Sequence, residues 1–221
     1  MRKIQLTVSN LHKRYGRNLV LKGVTFIASS GDCVAVVGPN GSGKTTLLKC
    51  LCGLLQPNAG NVQLSIGETT LSPTEAQPFI GALFDDCEPY DELTVNENLS
   101  LFLSLRECHK WRAASVHKSL NCEPMHPQLE HLLRKFKLDG FANEFVGSLS
   151  SGTRQRLKLA MACAKEPLLL LLDEPMANLD EVGRRMVISM VSEMRSKGSI
   201  VAWASCDEGE IEDATVLVKL G

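Results

Sequence analysis

The chain has 221 residues, of which 44% are hydrophobic and 22% charged, with 24 Lys and Arg against 25 Asp and Glu. That length suits one core without disulfide staples, and the formal net charge of −1 argues against a basic nucleic-acid-binding surface, so no nucleic acid is expected as a partner. No apolar run reaches the roughly 18 residues of a membrane span.

The opening Met1-Arg-Lys-Ile-Gln-Leu-Thr-Val alternates like a strand and carries no signal-peptide cleavage pattern, so the chain is expected to stay in the cytoplasm. Ile4, Leu6 and Val8 alternate, as do Val24 and Phe26, and predict half-buried antiparallel strands over the first thirty residues. Cys33 to Val37 is an unbroken apolar run, as in a fully buried strand, and Thr45 to Leu55 has helical spacing that Pro57 and Gly60 end. A turn-rich stretch follows, then a strand over Pro78 to Phe84. From there to about Gly147 the chain turns helical and polar, with helices over Asn98 to Glu107 and Gln128 to Lys137 around a break at 121 to 127. The last third reads as helix Thr153 to Lys165, buried strand Leu168 to Leu172, helix Asp180 to Lys197, strand Ser199 to Ala204 and strand Thr215 to Leu220. Strands alternating with helices predict an α/β fold with a mainly parallel sheet and helices on both faces. One domain spans 1–221, with a core of about 1–85 and 166–221 and an inserted helical subdomain of about 86–165. Eight cysteines are scattered through these patterns and are read as reduced, buried hydrophobes.

Gly38-Pro39-Asn40-Gly41-Ser42-Gly43-Lys44-Thr45-Thr46 has the P-loop pattern between a predicted strand and a predicted helix. Its glycines let amides converge on phosphates at a helix N-terminus, Lys44 reaches the β- and γ-phosphates, and the Thr45 hydroxyl suits Mg²⁺. Asp173 and Glu174 close a buried strand, where ligands bind in open α/β sheets. Asp173 is placed to hold Mg²⁺ and Glu174 to polarise an attacking water. The cofactors implied are ATP and Mg²⁺.

Leu149-Ser150-Ser151-Gly152-Thr153 precedes that strand, and over nearly its whole length the chain resembles the nucleotide-binding subunits of ATP-binding cassette transporters. The resemblance implies the ABC ATPase fold and ATP hydrolysis that powers a separate transmembrane permease subunit. Ser150 and Gly152 would face the γ-phosphate held by a second subunit, giving a head-to-tail dimer, homo- or heteromeric, around two ATP molecules. Tyr15 would stack on adenine, or else only anchor a strand end. Asp180 would join the protomers, cap a helix, or do both. Such a chain would work at the inner face of the membrane.

Two positions depart from the family pattern. Its usual Gln at the end of the strand before the helical subdomain aligns with Asp85, or in a shifted alignment with Asp86. Aspartate can still bind Mg²⁺ through water. Its switch histidine is replaced by Cys206 within Ser205-Cys206-Asp207. A neutral thiol is a weak donor, so ATP binding is expected to survive and hydrolysis to slow, unless Ser205 or Asp207 takes over the contact. The overall pattern looks most like exporter-type cassettes, including those of haem or cytochrome c maturation; a soluble ABC ATPase and a regulatory module without turnover are the alternatives. His109, His117, His126 and His131 lie with Cys108 and Cys122 in the insert, without the paired spacing of a metal site. Leu99, Phe102, Leu103 and Leu105 form either a groove for a membrane subunit or the insert's own core.

Overall fold

The computed structural model describes residues 3–107, 127–211 and 213–221. His109, His117, His126, Cys108 and Cys122 lie outside the described residues, and His131 is exposed on a helix.

Strands β1 (Ile4–Tyr15) and β2 (Asn18–Ser29) form an antiparallel hairpin. Strand β3 (Cys33–Val37) is buried at every position and leads through the glycine loop into helix α1 (Lys44–Leu51). The expected helix to Leu55 stops four residues early. Cys52 closes it, and Gly53 takes φ 74°, a left-handed backbone that glycine adopts without steric cost. The stretch read as turns contains β4 (Ala59–Ile66), β5 (Thr69–Leu71) and the short helix α2 (Pro73–Ala76). Val62 and Leu64 alternate inward on β4, and Gly60, read as a helix stop, belongs to that strand.

Strand β6 (Ile80–Leu83) is shorter than the expected Pro78 to Phe84, since Pro78 sits in a 3-10 turn over 77–79. Helices α3 (Val95–Glu107), α4 (Pro127–Lys135) and α5 (Ser151–Cys163) follow, then β7 (Leu169–Asp173), α6 (Glu181–Ser196), β8 (Ile200–Ser205) and β9 (Val216–Lys219). Each lies within a few residues of its expected span. Leu99 and Leu103 are buried in the core with Phe102 packed against it, which is the second of the two readings given above for that stripe.

Two sheets result: antiparallel β2-β1-β4-β5 and wholly parallel β6-β7-β8-β3-β9. Side chains alternate across a strand, so each parallel strand feeds two cores. Cys33, Ala35 and Val37 of β3, with Leu170 and Leu172 of β7, face the layer of α3, α4, α5 and α6. Val34, Val36, Leu169 and Leu171 face α1 and the antiparallel sheet. A strand buried on both faces must be apolar throughout, which is why β3 and β7 read as unbroken runs.

The sheet order decides the site. The carboxyl ends of β6, β7, β8 and β3 stand side by side and deliver Asp85, Asp173 with Glu174, Cys206 and the glycine loop to one edge. Among the described residues, no helix is long and apolar enough to cross a membrane.

Candidate functional site

The loop after β3 is glycine-rich for steric reasons. A Cβ on Gly38 would strike the Leu220 carbonyl, and one on Gly43 would lie 2.5 Å from the Val20 side chain. Gly43 caps α1 in a left-handed conformation, φ 103°, and among the described residues no side-chain cap bond closes the helix start. The positive end of α1 is therefore open toward the loop.

Lys44 is buried and curls back over this loop. Its Nζ donates to the carbonyls of Gly38 at 2.8 Å and Pro39 at 3.4 Å, and lies 3.5 Å from Glu174 Oε1. Thr45 Oγ1 donates to Asp173 Oδ2 at 2.6 Å. Burial pushes the Asp173 carboxyl above the usual range; the Thr45 bond opposes this, while the nearby Asp85 and Glu174 add to it. A hydroxyl beside a desolvated carboxylate is a set of hard oxygen donors that suits Mg²⁺.

Glu174 has φ 45°, sparsely populated for a residue with a side chain, and its amide donates to the Ala204 carbonyl at 3.0 Å. That turn brings its carboxylate back into the cleft. Asp85 lines the same cleft, whereas Asp86 turns to Lys49 at 2.5 Å, whose ammonium holds the Asp86 carboxyl low. Cys206 Sγ lies 3.0 Å from Lys44 Nζ, 3.0 Å from Asn40 Oδ1 and 3.1 Å from Glu174 Oε1. The sulfur accepts from the ammonium, and its one proton can serve only one of the two oxygens at a time.

A cleft of about 300 Å³ runs from Asn40, Gly41 and Gly43 through Lys44, Thr45 and Thr46 to the carboxylates of Asp85, Asp173 and Glu174. Gly38, Pro39, Ser42 and Cys206 adjoin these lining residues without lining the cleft themselves, and four further sequence-predicted residues lie elsewhere. Tyr15 ends β1, about half exposed, with Lys13 Nζ 5.4 Å from its ring centre. Ser150 caps α5 by accepting from the Thr153 amide at 3.2 Å, and a Cβ on Gly152 would lie 3.1 Å from the Asn178 carbonyl. Asp180 caps α6 through the Gly183 amide at 2.8 Å and meets Arg156 at 3.2 Å, contacts that hold its carboxyl low. The sequence reading missed Val20, which lines the cleft and leans on Gly43. The only hint was the apolar run Leu19-Val20-Leu21.

A phosphate-cradling loop between a buried strand and a helix, with acceptors for a hard cation on the neighbouring strand ends, defines a nucleotide-binding domain of the P-loop class. More narrowly, the chain belongs to the ABC transporter family, whose profile matches residues 21–177. It is 33% identical over 194 residues to the Nod factor export ATP-binding protein I of Burkholderia lata, covering 87% of this chain and 59% of that protein. It is likewise 33% identical over 215 residues to the sulfate/thiosulfate import ATP-binding protein CysA of Mycolicibacterium paratuberculosis, covering 97% and 52%. The chain thus spans between half and three fifths of these curated relatives. Among solved structures, an ATP-binding subunit of an ABC transporter superposes with TM-score 0.76 at 26% identity, covering 97% of this chain and 85% of that one. The bacterial ABC transporter cassette MJ0796, solved as a dimer, shares the fold with TM-score 0.81 at 24% identity, covering 97% and 94%.

Proposed function

We propose that this chain binds MgATP, dimerises head to tail around it, and hydrolyses it to drive a separate membrane-spanning subunit from the cytoplasmic face. The observation that carries this reading is the meeting of Lys44, the Thr45–Asp173 pair and Glu174 in one cleft. The loop amides and Lys44 hold the phosphates; Thr45, Asp173 and Asp85 would hold Mg²⁺. When bound, Mg²⁺ neutralises charge on the phosphates. Glu174 orients and deprotonates the attacking water. Lys44 exchanges its Gly38 and Pro39 carbonyl acceptors for phosphate oxygens, and the single Cys206 proton goes to Asn40, to Glu174 or to a γ-phosphate oxygen.

Tyr15 supplies the adenine platform, and Ser150, Gly152 and Asp180 act across the dimer, in this reading. Their positions outside the cleft of a single chain fit a site completed by a second copy. We divide the chain into a core of about 1–85 and 166–221 and a helical subdomain of about 86–165. The named relatives serve export and import alike, so the proposal stops at ATP-driven transport.

The test is steady-state phosphate release at saturating MgATP. Turnover that is lost in Glu174→Gln while nucleotide binding persists supports the reading. Equal turnover in both proteins overturns the role of Glu174. Nucleotide binding with no turnover in the native chain would make it a regulatory module.

A further inference from the structure

Outside the cleft, one buried charged group has no part in the mechanism above. Lys158 lies in the middle of α5 with its side chain 7% exposed. A buried ammonium is tolerated only when its donors are satisfied, ideally by an opposite charge. Lys158 Nζ has two acceptors, the Glu88 carboxylate at 2.8 Å and the backbone carbonyl of Asp85 at 3.2 Å. Both belong to the loop that leaves β6.

The neighbouring charges complete a clamp. Arg154, one turn earlier on α5, meets Asp91 at 2.7 Å and Glu88 at 3.6 Å. Lys49 of α1 holds Asp86. Of the four acids between 85 and 91, only the Asp85 carboxylate has no partner among the described residues, and it is the one that lines the phosphate cleft. The loop is thus pinned around Asp85 by Lys158 and Lys49, and its acid without a partner among the described residues lines the same cleft as Asp173 and Thr45.

We propose that Lys158 is the positioning residue for Asp85: it fixes the Asp85 backbone to α5, so that the Asp85 carboxylate enters the cation side of the cleft at a set place. Because α5 begins at Ser150, a shift of that helix is transmitted to Asp85 through Lys158. This inference rests on the MgATP reading.

The experiment is binding of a fluorescent ATP analogue, mant-ATP, to the whole chain, first with EDTA and then across a Mg²⁺ titration. It compares the native protein with Lys158→Met, Asp85→Asn and the double variant. Affinity without metal stays unchanged in Lys158→Met, while the Mg²⁺ concentration for half-saturation rises about tenfold, as for loss of a group that orients a metal ligand. In the Asp85→Asn background, Lys158→Met adds no further shift, because its effect runs through Asp85. Should Lys158→Met not fold, Glu88→Gln leaves the lysine a neutral acceptor and moves the Mg²⁺ midpoint the same way by a smaller factor. Identical Mg²⁺ midpoints in Lys158→Met and native protein overturn the proposal, and so do shifts that multiply in the double variant. If the native chain binds no mant-ATP under either condition, the MgATP reading itself has failed and this inference falls with it.

Discussion

Cys206 stands among Lys44, Asn40 and Glu174, and under the proposed function a stronger donor at this position would bond the terminal phosphate. Loss of one such preorganised donor costs about a hundred- to a thousandfold in rate. Cys206→His is therefore expected to raise kcat, by up to about a hundredfold, with little change in nucleotide affinity; equal kcat in both proteins shows the thiol to be no handicap. Asp173 makes a second residue-level prediction. An acid whose native pKa lies above its unfolded value supports folding only while protonated. For Asp173 that support is full below the ordinary carboxylate range and disappears as pH rises through the native value. Burial thus makes ionisation of Asp173 costly in the metal-free protein. Asp173→Asn keeps an acceptor for Thr45 and is expected to raise metal-free stability by about 0.5–2 kcal/mol, while abolishing the Mg²⁺ dependence of nucleotide binding. Thermal unfolding across pH 4–8 checks this: the native chain loses stability relative to the variant as pH rises.

The elements differ in how openly the sequence announces them. Strands β3 and β7, enclosed by both cores, are uninterrupted apolar runs and were legible at once, as was the glycine loop between a strand and a helix. Strand β4 was not. Its inward residues alternate with Asn61, Gln63 and Ser65 behind Gly60, a mixture that resembles turns until a partner strand is known. The fold of Glu174 onto a left-handed backbone was equally hidden, because nothing local requires it; it follows from the tie to Ala204 on the neighbouring strand. So was the place of Asp85, since choosing it over Asp86 needs the position of Lys49 on another helix. The packing of α5 on β6 carries its own prediction. Gly81 leaves no room for a methyl group, since a Cβ there would overlap the Ala162 carbonyl of α5. Gly81→Ala should lower stability by about 1–3 kcal/mol, read as a lower urea midpoint with an unchanged slope.

At the scale of the molecule, the cleft of one chain ends at Glu174 while Ser150, Gly152 and Asp180 stand apart from it. If a second copy completes the site, Glu174→Gln with MgATP sediments at twice the monomer mass. Adding Gly152→Asp, which sets a negative charge against the bound phosphates, keeps it monomeric. Sedimentation velocity with a matched melting curve separates this from misfolding; a dimer that survives the aspartate removes Gly152 from the interface. The order β6-β7-β8-β3-β9 has a further consequence during synthesis. Among the described residues, the strand that carries the phosphate loop pairs with β8 and β9, the last of the described strands to be made, and the Cys33 amide reaches Thr215 across 182 residues. A ribosome adding about 5–20 residues per second takes roughly 9–36 s to cover that distance. Until β8 is made the nascent Cys33–Val37 segment has two bare edges, and until β9 is made it has one, with five apolar side chains, which makes it a natural docking point for a chaperone.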